Sequence, residues 1–231
     1  AVSSIVLDPS YKGKGYQTIP EVTIQGGAHF LRCVEKGSPN TGKFFRILSN
    51  TGDTITLDNP LNENIGLIFQ SHTMVEVFES WTLGSLFGYS GTQFKEGNST
   101  VADYVYLLKP PSQQNGTVQD YKAHFHDGIS WKEVNGSNAS TAETIIYPDE
   151  SFILARRSNS PLELNLSGVA LTQNSFVQIP AAGKRFLMNN PFGVDVMLSD
   201  LIPSLHLTAS SSDTQKWLTS TSQEQADNIQ I

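Results

Sequence analysis

Apolar and polar positions alternate with a period of two through much of the chain, as in strands that keep one face dry and the other wet. The clearest block runs from Gly42 to Phe87. Phe44 to Leu48 reads as a strand, Asn50-Thr51-Gly52-Asp53 as a turn, and Thr54-Ile55-Thr56-Leu57 as the returning strand, with Ile55 and Leu57 on one face. Asn59-Pro60 stops it. Met74 to Phe78 predicts another strand, and Trp81 opens a short compact link. The pattern is that of an antiparallel β meander.

The same alternation extends both ways. Ser4 to Leu7 and Glu21 to Gln25 predict an opening hairpin across Lys12-Gly13-Lys14-Gly15. Such a hairpin is too short to stand alone in water and must pack on the domain body or on a neighbour. Asp103 to Leu108 reads as a strand. Tyr121 to His126 and Ile129 to Val134 read as a pair turning at Asp127-Gly128. Glu143 to Tyr147 and Ser151 to Arg157 flank a Pro148-Asp149-Glu150 turn. Leu162, Leu164 and Leu166 alternate with Glu163, Asn165 and Ser167, the cleanest two-residue period in the chain. Phe176 to Ile179, Arg185 to Met188 and Val194 to Leu198 add three more strands. The fold class expected is all-β, in antiparallel β-sandwich or meander modules with short helical turns.

Two echoes suggest an internal repeat. Val196 to Ile202 resembles Trp81 to Phe87, and Ala226-Asp227-Asn228-Ile229 resembles Ala102-Asp103-Tyr104-Val105, a spacing of about 115 to 125 residues. The expected organisation is an N-terminal hairpin extension over 1–27, a main β domain over 28–195, and an incomplete second repeat over 196–231.

Composition narrows the class of protein. At 231 residues the chain can form one large β domain or two small ones. Eighteen Gly and eleven Pro suit short strands joined by many turns. The net charge of −7, with no basic run longer than Arg156-Arg157, argues against a nucleic-acid groove. No apolar run approaches the roughly 20 residues of a membrane-spanning helix. Cys33 is the single cysteine, so no internal disulfide exists, and it reads as a small buried apolar residue. A start at Ala1-Val2-Ser3-Ser4 is that of a mature chain after signal-peptide removal, or of an excised fragment. Asn-x-Ser/Thr sequons begin at Asn98, Asn115, Asn135, Asn138 and Asn165 and mark surface loops.

Several motifs carry a resemblance. They are Gly42 to Ile47, Asn50 to Leu57, Trp-Thr-Leu-Gly-Ser-Leu-Phe at Trp81 to Phe87, Trp131 to Asn135, and Pro148 to Arg156. Over about residues 40 to 231 the chain resembles a family of secreted, β-rich, two-repeat bacterial surface proteins. It departs from the family pattern at Gly136, one position late, and in the unfinished second repeat. Separately, Gly15 to Gly27 resembles a Gly-Tyr-x-x-x-Pro-x-Val-Thr-Ile motif found in bacterial surface proteins. The resemblance implies secretion and a β fold, and carries no assigned activity.

Candidate chemistry is sparse. His124 and His126 project from the same strand face and could grip a metal, but a site needs a third and fourth ligand, and the remaining His29, His72 and His206 have no spacing to recommend them. The competing reading is a solvated or hydrogen-bonded strand face. Turns at Asn50 to Asp53, Asp58-Asn59 and Asp127-Gly128 offer oxygens to calcium, although Asx-turn chemistry accounts for them without an ion. Trp217, among Ser, Thr and Gln, is the candidate for sugar stacking, together with Tyr104, Tyr106 and Tyr121; Trp81 and Trp131 read as core. Glu143, Asp149 and Glu150 read as solvating a turn. No nucleophile elbow, P-loop, dinucleotide fingerprint or zinc-protease helix occurs, and no enzyme is expected.

The expectation is therefore a secreted structural protein of the cell surface, the self-assembling subunit of a filament, sheath or surface layer. Ser4, Ile5, Val6 and Leu7, with Val22, Thr23 and Ile24, are expected to pair with another copy, because an uncovered strand edge is sticky. The alternative is a carbohydrate-binding or adhesive module with surface polysaccharide as partner.

Overall fold

The computed structural model describes residues 2–6, 27–51, 54–90, 92–109 and 120–164, together with Leu187 and Met197. The chain divides into two compact units, Ala1–Pro191 and Phe192–Ile231. The expected second repeat, from residue 196 onward, lies outside the described residues except at Met197. So do the hairpin strand at Glu21 to Gln25 and the strands expected between 165 and 198.

The fold is all-β and antiparallel. The first sheet contains β1 (Val2–Val6), β2 (His29–Cys33), β3 (Phe44–Asn50), β4 (Thr54–Asp58) and β5 (Val75–Glu79), in the order β1-β4-β3-β2-β5. The second contains β6 (Tyr104–Leu108), β7 (Tyr121–His126), β8 (Trp131–Glu133) and β9 (Ile153–Ala155), in the order β8-β7-β6-β9. In each sheet three consecutive strands form a meander; in the first these are β2, β3 and β4, so the sequence reading missed β2, and β5, expected to follow β4 in the meander, pairs with β2 instead. A fourth then returns beside the first of the three, giving the 4-1-2-3 order of a Greek key. The two sheets thus repeat one connectivity, β2 to β5 and then β6 to β9, a relation that sequence similarity does not announce.

Alternation decides which side chains meet. Leu31, Phe45, Ile47, Ile55 and Leu57 line one face of the first sheet, and the short helix α1 (Ile65–Ile68) covers them with Ile65 and Ile68. The opposite face is aromatic: Phe30 is fully buried, stacked on Phe78 at 5.7 Å and edge-on to Phe44 at 5.8 Å. Cys33 is buried and free, as its isolation in the sequence suggests. A register shift between Ile47 and Ser49 marks a bulge in β3.

The second sheet packs Val105, Leu107 and Trp131 against Leu83 and Phe87 of helix α2 (Leu83–Phe87). Thr82 starts this helix with a reciprocal cap: its hydroxyl accepts from Ser85 N at 3.1 Å, and Ser85 Oγ accepts from Thr82 N at 2.7 Å. The Leu83 and Gly84 amides donate to Thr144 O and Ala142 O, so the helix start is tied to the segment after β8. A Cβ at Gly84 would lie 2.5 Å from the ring of the half-exposed Tyr89, which would have to move aside.

Three expectations need correction. Trp81 is 48% exposed, so the apolar motif buries Leu83 and Phe87 and leaves its own tryptophan outside. Glu143 to Tyr147 forms a single bridge, Ile145 to Thr82, because its Thr144 carbonyl accepts from the Leu83 amide and its Ile146 amide donates to Trp81 O, bonds to the helix start rather than to a ladder. Leu162 and Leu164 are not in a strand; they pack on the second core, with no strand neighbour among the described residues, and Leu166 lies outside these.

Candidate functional site

The two strand-face histidines share a face, as their spacing requires, but that face is buried. His124 and His126 are each 1% exposed. His124 Nδ1 lies 3.1 Å from Thr141 Oγ1, while its Nε2 is buried with no hydrogen-bond partner. Desolvation, reinforced by the Lys122 charge and opposed by Glu133, pushes His124 down to about 4. His126 Nδ1 lies 3.0 Å from Glu96 Oε1 and accepts from Gly128 N at 3.2 Å, its Nε2 is 3.3 Å from Tyr89 O, and its ring rests edge-on against Trp131. Among the described residues no group of three or more His, Cys, Asp or Glu could hold a metal ion. The pair is engaged in contacts within the fold, and among the described residues it lacks the further ligands a metal centre needs; His206 lies outside them.

At two of the three turns offered to calcium, side-chain oxygens are already used, while Gly52 and Asp53 of the third lie outside the described residues. Asp127 Oδ1 accepts from the Ile129 and Ser130 amides at 2.8 Å each. Asn59 Oδ1 accepts from Glu63 N at 2.9 Å, and its Nδ2 donates to Ser3 Oγ and Glu63 O. These are Asx turns. Trp217 lies outside the described residues. Tyr104 is buried beneath Arg157, whose guanidinium sits 4.3 Å above its ring, so it is no open stacking platform.

Two buried polar centres escaped the sequence reading. Asp103, read only as the start of a strand, is 2% exposed. It accepts from Lys95 N at 2.9 Å and Arg157 N at 2.5 Å, and Arg156 Nε lies 2.9 Å from its Oδ2, off the hydrogen-bond line. Burial alone would raise this carboxyl. The amides of Arg157 and Lys95, the Arg156 charge and Ser158 outweigh it and hold Asp103 below its ordinary 3.8. Asp103→Ala is expected to cost about 1–3 kcal/mol at neutral pH, because two buried amides lose their acceptor. A depressed carboxyl stabilises the fold above its unfolded value and loses that effect as pH falls through its folded value. Thermal unfolding of the two proteins at pH 7 and pH 3 should therefore show the gap narrowing in acid.

The second centre lies on the aromatic face of the first sheet. Tyr147 packs edge-on to Phe30 at 5.4 Å, and its hydroxyl is hydrogen-bonded to Arg46. Burial raises the phenol, with Arg46 opposing. Two residues on, Asp149 is buried at 9% exposure, and the next residue, Glu150, is pushed up to about 7 by desolvation and by the Asp149 charge. These acids were expected to solvate a turn. They are instead drawn inward, because Tyr147 anchors the turn on the first sheet. An aromatic residue at the second position before an acidic pair was the one signal available.

The remaining candidate is an edge. Ser4, Ile5 and Val6 of β1 pair with Thr56, Ile55 and Thr54 of β4 in the same chain, where another copy was expected; Leu7, Val22, Thr23 and Ile24 lie outside the described residues. Ile5 packs against the first core, while Val2 and Val6 face outward at 65% and 72% exposure. Among the described residues β1 has β4 as its one strand neighbour. At the other edge of this sheet β5 carries Glu76 and Glu79, and Glu76 binds Arg32 at 2.6 Å. In the second sheet, edges β8 and β9 are three residues each. Charge and shortness are the usual protections of an edge, and β1, at Val-Ser-Ser-Ile-Val, has neither.

An open concavity of about 420 Å³ lies between the Glu35–Asn40 turn and the Leu67–Thr73 segment. There Ser71 Oγ is 2.9 Å from His72 Nδ1, and His72 adopts φ 70°. A serine nucleophile needs its base oriented by a third group, and no hydrogen bond to such a group is present among the described residues. No helix among the described residues is long and apolar enough to cross a membrane. Comparison with known protein families, with characterised proteins and with solved structures gives no match.

Proposed function

We propose that the protein is an extracellular structural subunit that assembles with copies of itself into a filament, sheath or surface layer, through strand pairing at the outer edge of β1. The observation that carries this reading is β1 itself: a five-residue, uncharged, proline-free edge with two outward valines more than half exposed. Edge pairing adds main-chain hydrogen bonds at little cost in specificity, and a contact between unlike surfaces propagates instead of closing. The low content of charge, 16%, leaves few like-charge contacts to oppose it. The resemblance to secreted surface proteins supports the extracellular setting.

The test is assembly of the native chain and of a Val2→Lys/Val6→Lys variant, followed by negative-stain microscopy and sedimentation. Both side chains face outward, so each change should alter folding stability by no more than about 0.5 kcal/mol. The variant should need about tenfold or more protein to assemble, equivalent to about 1.4 kcal/mol per contact. A native chain that stays monomeric at high concentration would end the proposal, and so would a lysine variant that assembles as readily.

A further inference from the structure

We infer that a polar groove at the tip of the second sheet binds neutral sugar units. The groove encloses about 310 Å³, at the small end of the roughly 300–1,000 Å³ usual for ligand sites. Three carboxamides from two separate loops converge on it: Asn98, before β6, and Asn135 and Asn138, after β8. All three residues are exposed. Asn98 spends its Oδ1 on Thr100, accepting from the amide at 3.0 Å and from the hydroxyl at 2.6 Å. Its Nδ2, and the side chains of Asn135 and Asn138, are without a hydrogen-bond partner among the described residues. Phe125, buried against Tyr104, contributes an apolar surface to the same groove.

Both walls are held before any ligand arrives. Ser99 O accepts from the Tyr104 hydroxyl and from Arg157, which fixes the Asn98 loop on the sheet. Lys132 Nζ donates to Asn138 O, Gly136 N donates to Glu133 O at 3.0 Å, and Asn135 sits at φ 60°, which fixes the other loop. Fixing the donors in advance lowers the entropy lost on binding.

The charge pattern selects the ligand. Asp127 lines the groove but gives its carboxylate to backbone amides, which hold it below its ordinary value. Glu133 pairs with Lys122 at 3.3 Å. Lys132 is the one cation on the lining, so there is no basic cluster for phosphate or sulfate. What remains is an amide donor on Asn98 and neutral amides on Asn135 and Asn138, each pairing a donor with an acceptor, beside the rim of the buried Phe125 ring. That set matches the vicinal hydroxyls and the C–H face of an uncharged sugar. The inference goes beyond self-assembly and does not depend on it.

Saturation-transfer NMR would be run on the full chain with glucose, galactose, mannose and N-acetylglucosamine as free sugars, and with dextran as a polymer. The same probes would be applied to Asn135→Gly/Asn138→Ala, in which glycine keeps the left-handed turn. Gln70→Ala, at the unrelated concavity, is the control. Transfer to at least one probe is expected, weakened by about tenfold or more in the double variant and unchanged in the control. No transfer to any probe would overturn the inference, as would transfer that the double variant leaves intact.

Discussion

Replacing Trp131 with alanine is expected to cost about 3–5 kcal/mol, a large part of the about 5–15 kcal/mol that holds a domain folded. The ring is 1% exposed and central to the second core. Phe87 and Phe94 each approach it at 6.0 Å, and His126 at 5.6 Å. Its indole Nε1 also donates to Gly88 O at 2.8 Å, which ties β8 to the end of α2. Alanine would therefore open a large cavity, unseat two edge-on ring contacts and one tilted one, and leave a carbonyl without its donor. Trp131→Phe separates the terms: most apolar volume stays, the Gly88 acceptor is orphaned, and the loss should fall to about 1–3 kcal/mol. Urea unfolding of the three proteins measures both steps. An alanine variant within about 1 kcal/mol of the native chain would show that the second core does not depend on this ring.

The pH dependence of stability should be flat where single groups would make it steep. His124 falls from 6.5 in the unfolded chain to about 4 in the fold. Its contribution is intact above pH 6.5 and is lost as pH falls toward 4, when only the unfolded chain takes up the proton. Glu150 does the reverse, rising from 4.5 to about 7. Its contribution is intact below pH 4.5 and is lost as pH rises through 7, when the unfolded chain ionises first. Each shift corresponds to about 3 kcal/mol at most, and solvent screening makes the partly exposed Glu150 the smaller of the two. Between pH 4.5 and 6.5 the slopes oppose.

His124→Gln should uncover a stability that falls as pH rises from 4.5 to 7. Glu150→Gln should uncover one that rises from pH 4 to 6.5. Denaturation midpoints at half-unit steps of pH would check this. Parallel profiles for the native chain and both variants would refute it.

The edge and the groove depend on rigid sheets, and both cores have the ring contacts and alternation that provide them. What was legible in the residues was mostly local. Thr54 to Leu57 alternates, and Ile55 and Leu57 are indeed buried together. Asp127-Gly128 marks a turn, and Gly128 sits at φ 99° between β7 and β8. His124 and His126 share a face because strand geometry requires it. Whether that face is wet is another matter, since it depends on α2 and Phe94 arriving from elsewhere in the chain. The candidate sites were harder to read for the same reason. Asn98 and Asn135 are far apart in sequence, and only the second sheet brings their loops to one groove. Leu162 and Leu164 show the opposite failure, a perfect local period with no strand neighbour among the described residues to complete it.

By itself the sequence determined an antiparallel, turn-rich β protein, because pleat, turn chemistry and capping act over a few residues and are written where they act. The tertiary structure alone decided the strand order, the return of β5 and β9 beside the first strand of each meander, and the pairing of β1 with β4. It also decided which acids and histidines are dry. Those outcomes come from contacts between distant segments, and desolvation belongs to whatever packs above a residue rather than to its neighbours in the chain.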